Sequence, residues 1–87
     1  MIKSIFLSKG DYDFTFYERV SADKTSYWEL NLSKWDDELD CSITVFSISV
    51  DSYEDIPKSV ITHLSNLLDT DILSHVIDTQ KSNKVKL

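Results

Sequence analysis

Two stretches of this chain, "YDFTFYERV" (12–20) and "SYWELNLS" (26–33), alternate apolar and polar residues with a period of two. A β-strand buried on one face imposes that period, because successive side chains leave the backbone on opposite sides. In the first stretch Tyr12, Phe14, Phe16 and Val20 share one side, and Asp13, Thr15, Tyr17 and Arg19 the other. In the second, Trp28, Leu30 and Leu32 oppose Tyr27, Glu29 and Asn31. The polar connection "SADKT" between them, five residues, has hairpin length, so the two strands are expected to pair antiparallel.

The flanking segments extend the sheet on both sides. "IKSIFLS" reads as a shorter strand, joined to the next by a turn at residues 9–11 around the chain's single glycine, Gly10. "CSITVFSISV" (41–50) is rich in β-branched residues, but its apolar phase slips from Cys41, Ile43 and Val45 to Phe46, Ile48 and Val50. Either a bulge near Val45 and Phe46 or cover on both faces reconciles the halves.

After "DSYED" the period becomes helical, with Pro57 suited to a first turn and Ser52 or Asp55 available to cap it. Ile56, Val60, Ile61, Leu64, Leu67 and Leu68 form one stripe at 100° per residue, whereas Ile72, Leu73, Val76 and Ile77 would leave the same rod on its opposite side. A surface helix has one apolar stripe, so the rod is expected to break at "DTD", Asp69 or Thr70 capping a short second helix. The expected architecture is α+β: a four-stranded antiparallel β-meander followed by one or two C-terminal helices packed on one face. Residues 1–80 form a single domain in this reading, and 81–87 a basic, frayed tail.

Charge restricts the partners. The chain's formal net charge is −6, but all fifteen acids lie between Asp11 and Asp78, where only Arg19, Lys24, Lys34 and Lys58 offset them, leaving that span at −11. Nucleic-acid binding needs the opposite field, so direct contact with DNA, RNA or an anionic membrane is not expected. A basic protein would be attracted. The longest early apolar run, Ile5 to Leu7, is too short for a signal core or a membrane span, and a lone Cys41 makes no internal disulfide. A soluble cytoplasmic protein is the expectation, as a monomer or weak dimer.

The densest feature is "WDDELD", in which Asp36, Asp37, Glu38 and Asp40 follow Trp35. It is expected in the connection between the third and fourth strands. A catalytic carboxylate needs a crowded or apolar pocket to raise its pKa, and an exposed acidic loop supplies none. The stretch also lacks the glycine and alternate-position ligands of a calcium loop. His63 and His75 have no metal-binding spacing, and Cys41, directly after Asp40, reads as a partly buried structural thiol. No catalytic residue, metal site or cofactor is therefore expected.

An exposed tryptophan beside carboxylates does suit recognition of a cationic surface, although Trp35 also fits a core position at the sheet edge. Tyr17 and Tyr27, with Glu29 and Arg19 nearby on the polar sheet face, form a second candidate surface. The expected partner-binding residues are accordingly Trp35, Asp36, Asp37, Glu38, Asp40, Tyr17, Tyr27 and Glu29. In size, acidity and absence of catalytic motifs, though in no motif, the chain resembles as a type the immunity proteins that bacteria make against nuclease toxins. That resemblance implies a non-enzymatic inhibitor of a basic protein. Two alternatives are a phage-encoded inhibitor that imitates nucleic acid against a host defence nuclease, and a structural or regulatory subunit whose sheet edge pairs with another chain.

Overall fold

The structure, a computed structural model, describes residues 4–81. Four strands, β1 (Ser4–Lys9), β2 (Tyr12–Val20), β3 (Ser26–Asp36) and β4 (Cys41–Val50), form one antiparallel sheet in the order β1-β2-β3-β4. A 3₁₀ turn (Tyr53–Asp55) leads into α1 (Lys58–Leu68) and α2 (Ile72–Lys81). The meander and the helical pair follow the sequence pattern.

The buried face has the alternation expected of it. Phe14 and Phe16 of β2 and Trp28, Leu30 and Leu32 of β3 are buried, and Ile56, Leu64, Leu68, Ile72 and Val76 cover them from the helical layer. Phe16 and Trp28 stack with ring centroids 4.8 Å apart, a geometry that contributes about 0.5–1.5 kcal/mol beyond the area removed from water. The edge strands bury less: Ile5, Leu7, Phe46, Ile48 and Val50 are only partly covered.

The phase slip in β4 is a bulge. Leu32 pairs with Phe46, but the next residue, Ser33, pairs with Thr44, so Val45 is the extra residue between them. Hydrogen-bonded strands share a face residue by residue, which puts Val50, Ile48 and Phe46 beside Trp28, Leu30 and Leu32. Without the inserted residue one half of β4 would have turned its apolar side to solvent.

The helix break also lies where the opposed stripes require it. Asp69 ends α1 in the left-handed region, with φ 53° and ψ 44°. The cap of α2 is Asp71, not Asp69 or Thr70 as the sequence suggested: its carboxylate accepts from the Ser74 amide at 3.3 Å and the Ser74 hydroxyl at 2.8 Å. Ser65 on α1 takes the Ile72 amide at 3.1 Å, linking the two helices. Ser52, in turn, caps the 3₁₀ turn through the Glu54 amide, while Pro57 precedes α1.

Several boundary expectations change. Trp35 and Asp36 belong to β3, not to the loop, because pairing continues through Trp35–Ser42 and Asp36–Cys41. Val20, the last residue of β2, is 66% exposed and does not join the core with Phe14 and Phe16. Cys41 is exposed, as are all of the first five residues of the edge strand β4. In α2 the buried positions are Ile72, Val76 and Thr79, so Leu73 faces solvent instead of the core. The helix includes Lys81, and the rest of the expected tail, 82–87, lies outside the described residues.

Candidate functional site

The helices cover one face of the sheet and among the described residues leave the other open, and the β1–β2 and β3–β4 turns share one end of it, where Lys9 pairs with Asp69 at the end of α1 at 3.1 Å. The two candidate surfaces occupy the open face and that end.

The β3–β4 turn is built by Asp36. Its Oδ1 accepts the Glu38 amide at 2.8 Å and the Leu39 amide at 3.2 Å, and its carbonyl accepts the Asp40 amide at 2.8 Å. Asp40 then closes the turn in the left-handed region, at φ 56°, a conformation in which aspartate is one of the better-tolerated non-glycine residues. One of the four carboxylates is thus structural. Asp37, Glu38 and Asp40 remain exposed, and among the described residues no ion pair involves any of the four. The nearest cation in sequence, Lys34, has its Nζ 5.4 Å from the centre of the Tyr12 ring.

Trp35 stands beside this turn on the open face, paired with Ser42, 41% exposed, its amide donating to the Asp11 carbonyl at 2.9 Å. It is therefore not a core residue. Together with Asp11, Lys34, Asp36, Asp37, Glu38 and Ile43 it lines a shallow depression. Sequence reasoning missed that Ile43 lines the same depression and that Leu39 (64% exposed) and, farther along β4, Val45 are exposed as well. The odd-numbered half of the β4 phase slip signalled Ile43 and Val45, but their exposure depends on β4 being an edge, which no sequence pattern specifies.

The second candidate surface is assembled differently. Tyr17 pairs with Glu29, and Arg19 with Tyr27, so the two tyrosines are diagonal, not opposite. Arg19 Nη1 donates to Glu29 Oε1 at 3.1 Å; Asn31 Nδ2 lies 3.3 Å from both Glu29 Oε2 and the Tyr17 hydroxyl oxygen. Partial burial pushes the Glu29 carboxyl up, but the hydrogen bonds from Asn31, Arg19 and Tyr17 outweigh it and hold the group below its ordinary range. The same bond to Glu29 raises Arg19. Asn31 was absent from the sequence-based site, and it is the residue that ties Tyr17 to Glu29.

Among the described residues no group of three or more His, Cys, Asp or Glu side chains is placed to hold a metal ion, and no helix is long and apolar enough to cross a membrane. His75 Nε2 shares a hydrogen bond with the Thr70 hydroxyl at 3.2 Å, whereas His63 is exposed on α1. The two do not meet.

The chain matches no family model, no curated protein and no solved structure. Chemistry alone bears on its role. An open depression lined by carboxylates, with exposed apolar side chains at its margin, offers electrostatic attraction and an apolar anchoring area.

Proposed function

We propose that this chain is a binding protein for a basic protein partner, contacting it through the far end of the β3–β4 hairpin. The observation carrying this reading is that Asp37, Glu38 and Asp40 stand exposed, with no ion pair among the described residues, next to the exposed Trp35 and Leu39. Carboxylates with no internal partner attract a cationic surface without first losing a bond within the chain. The half-exposed indole supplies the apolar contact that charge alone lacks. Inhibition of a nuclease-type toxin, as immunity proteins perform it, is the specific form we favour, because a channel that holds phosphates presents this kind of cationic surface. A mimic of nucleic acid aimed at a defence nuclease would use the same groups.

The test is the association rate with a cationic nuclease toxin, followed against salt for the parent and for a variant carrying Asp36→Asn, Asp37→Asn, Glu38→Gln and Asp40→Asn. Exposed charges act on the encounter, so the variant should associate on the order of tenfold more slowly at low salt and show a flatter salt dependence. Equal rates and equal salt response would reduce the hairpin end to a solvated turn, and the tyrosine-bearing face would take its place as the candidate surface.

A further inference from the structure

The far edge of the sheet is unusual in what it lacks. Natural edge strands are kept from pairing with other chains by charges, proline, short length or cover. β1 follows this rule, with six residues ending in Lys9 and with α2 packed near it. β4 does not. Its ten residues, Cys41–Val50, contain no charge and no proline in a chain that is 28% charged, and its one protective device is the bulge at Val45. Among the described residues no strand pairs with its outer side.

Under that edge lies a groove of about 310 Å³ lined mainly by apolar side chains, with Leu32, Val45 and Phe46 from the sheet and Val60, His63 and Leu64 from α1. Val45 is 52% exposed there. A strand added beside β4 would project alternate side chains over this groove, the combination of main-chain bonds and side-chain pockets by which sheet edges recognise extended segments.

The charges at the ends of the edge select the occupant. Asp40 immediately precedes β4 and Asp51 immediately follows it, with Asp37 and Glu38 beyond the first and Asp55 lining a depression with Asp51 at the second. A second copy paired antiparallel about the strand centre would set Asp40 against Asp51, and a parallel copy would set each aspartate against its equivalent; both arrangements place acid on acid. A strand that is neutral over about ten residues and basic at both ends meets no such conflict.

We infer that β4 is a strand-addition site for an extended segment of a basic protein, uncharged along its middle and flanked by lysine or arginine. The inference rests on the proposed function and specifies how that partner is engaged. Ten residues at about 3.3 Å each give the neutral part a length of about 33 Å.

The experiment uses the full chain and three synthetic peptides: eight alternating threonines and valines with two lysines at each end, the same core with glutamates at the ends, and the lysine peptide with alternate backbone amides N-methylated. Binding is read by amide chemical shifts and by hydrogen exchange. The lysine peptide should slow exchange at every second β4 amide, on either side of the bulge, and shift resonances of Val45, Phe46, Val60 and His63. The glutamate peptide should bind about tenfold more weakly or less, from the loss of several exposed ion pairs. The N-methylated peptide should not bind. Equal binding of the N-methylated and parent peptides would overturn strand addition while leaving the attraction to basic partners intact; equal binding of the lysine and glutamate peptides would overturn the charge selection and the proposed function with it. Outward-facing β4 amides already protected in the free chain would also overturn the site: rising protection with concentration would identify a second copy as the occupant, and constant protection a segment of the chain itself.

Discussion

The two tryptophans should respond oppositely to truncation, and the difference follows from where the sheet places them. Trp28 is 4% exposed and stacked on Phe16; Trp35 is 41% exposed at the end of the sheet. A fully buried Trp removes about 250 Å² from water, worth about 6 kcal/mol at 25 cal/mol per Å². A compact unfolded chain and the area an alanine still buries reduce this to about 3–4 kcal/mol for Trp28, and the lost stack and residual cavity bring it back to about 4–5 kcal/mol. Trp35 covers roughly six-tenths of its surface; after the same reductions and with no enclosed cavity to leave behind, Trp35→Ala should cost about 2 kcal/mol or less. Urea unfolding followed by far-ultraviolet circular dichroism measures both, because neither variant then depends on the fluorophore removed. A domain of this size has about 4–13 kcal/mol in total, so Trp28→Ala is expected to lose a third or more of its stability, and Trp28→Phe provides a milder comparison if it does not fold. A loss of 3 kcal/mol or more for Trp35→Ala would contradict the partition, on the order of what core truncation causes.

Two further outcomes test local geometry. Asp36→Ala removes the acceptor of the Glu38 and Leu39 amides and should cost about 1 kcal/mol, whereas Asp36→Asn keeps an amide oxygen in the same place and should cost less than half as much; urea midpoints rank them, and equal losses would show that charge and not acceptor geometry matters. Asp23 is lowered to about 2, first by the Ser21 hydroxyl and then by the Thr25 hydroxyl (2.7 Å) and amide (3.1 Å), so NMR titration should find its carboxyl ionising well below the usual aspartate range. A folded value below the unfolded one means that its contribution to stability is present above about pH 4 and is lost as pH falls through about 2; Asp23→Asn should flatten that part of the acid-unfolding profile, and an unchanged profile would remove the loop from the account.

The parts of the fold legible in the sequence were those in which side-chain pattern and backbone period agree. Trp28, Leu30 and Leu32 could be assigned to one face because the strand period is two, and the helix break was visible because the stripe centred on Val60 and Leu64 and the one centred on Leu73 and Val76 would leave one straight rod on opposite sides. The bulge was visible in the same way, as Ile43 and Phe46 cannot be in phase on a regular strand. Misplaced boundaries arose where pattern carries no information about pairing. Trp35 and Asp36 read as loop because they open a charged run, yet strand pairing is made by the backbone, and the Asx turn at Asp36 with left-handed Asp40 sets the register that pairs them with Ser42 and Cys41. The acids of the candidate site were plain from composition. That Trp35 is half-exposed, and that Ile43 joins it, depends on strand order and helix reach, and both are set by tertiary packing.

The two exposed surfaces differ in what a partner would have to displace. On the open face, Glu29 is held by Arg19 and Asn31, and Asn31 also lies against the Tyr17 hydroxyl, so a cation arriving at Glu29 competes with bonds already made. Satisfied groups of this kind stabilise the sheet, and exchanging one set of hydrogen bonds for another gives little net free energy. At the hairpin end, among the described residues, Asp36 alone of the four acids has side-chain bonds of that sort, and they serve the turn; Asp37, Glu38 and Asp40 are exposed to water. Adjacent to them the neutral, uncovered edge of β4 offers main-chain donors and acceptors with no side-chain charge to repel a neighbour. The polar network thus engages the groups of one face of the sheet with each other, while the exposed acids around the neutral edge would attract cationic groups and repel anionic ones. On the proposed function, the acids at the two ends of β4 would both disfavour pairing with another copy of this chain and favour a basic segment there.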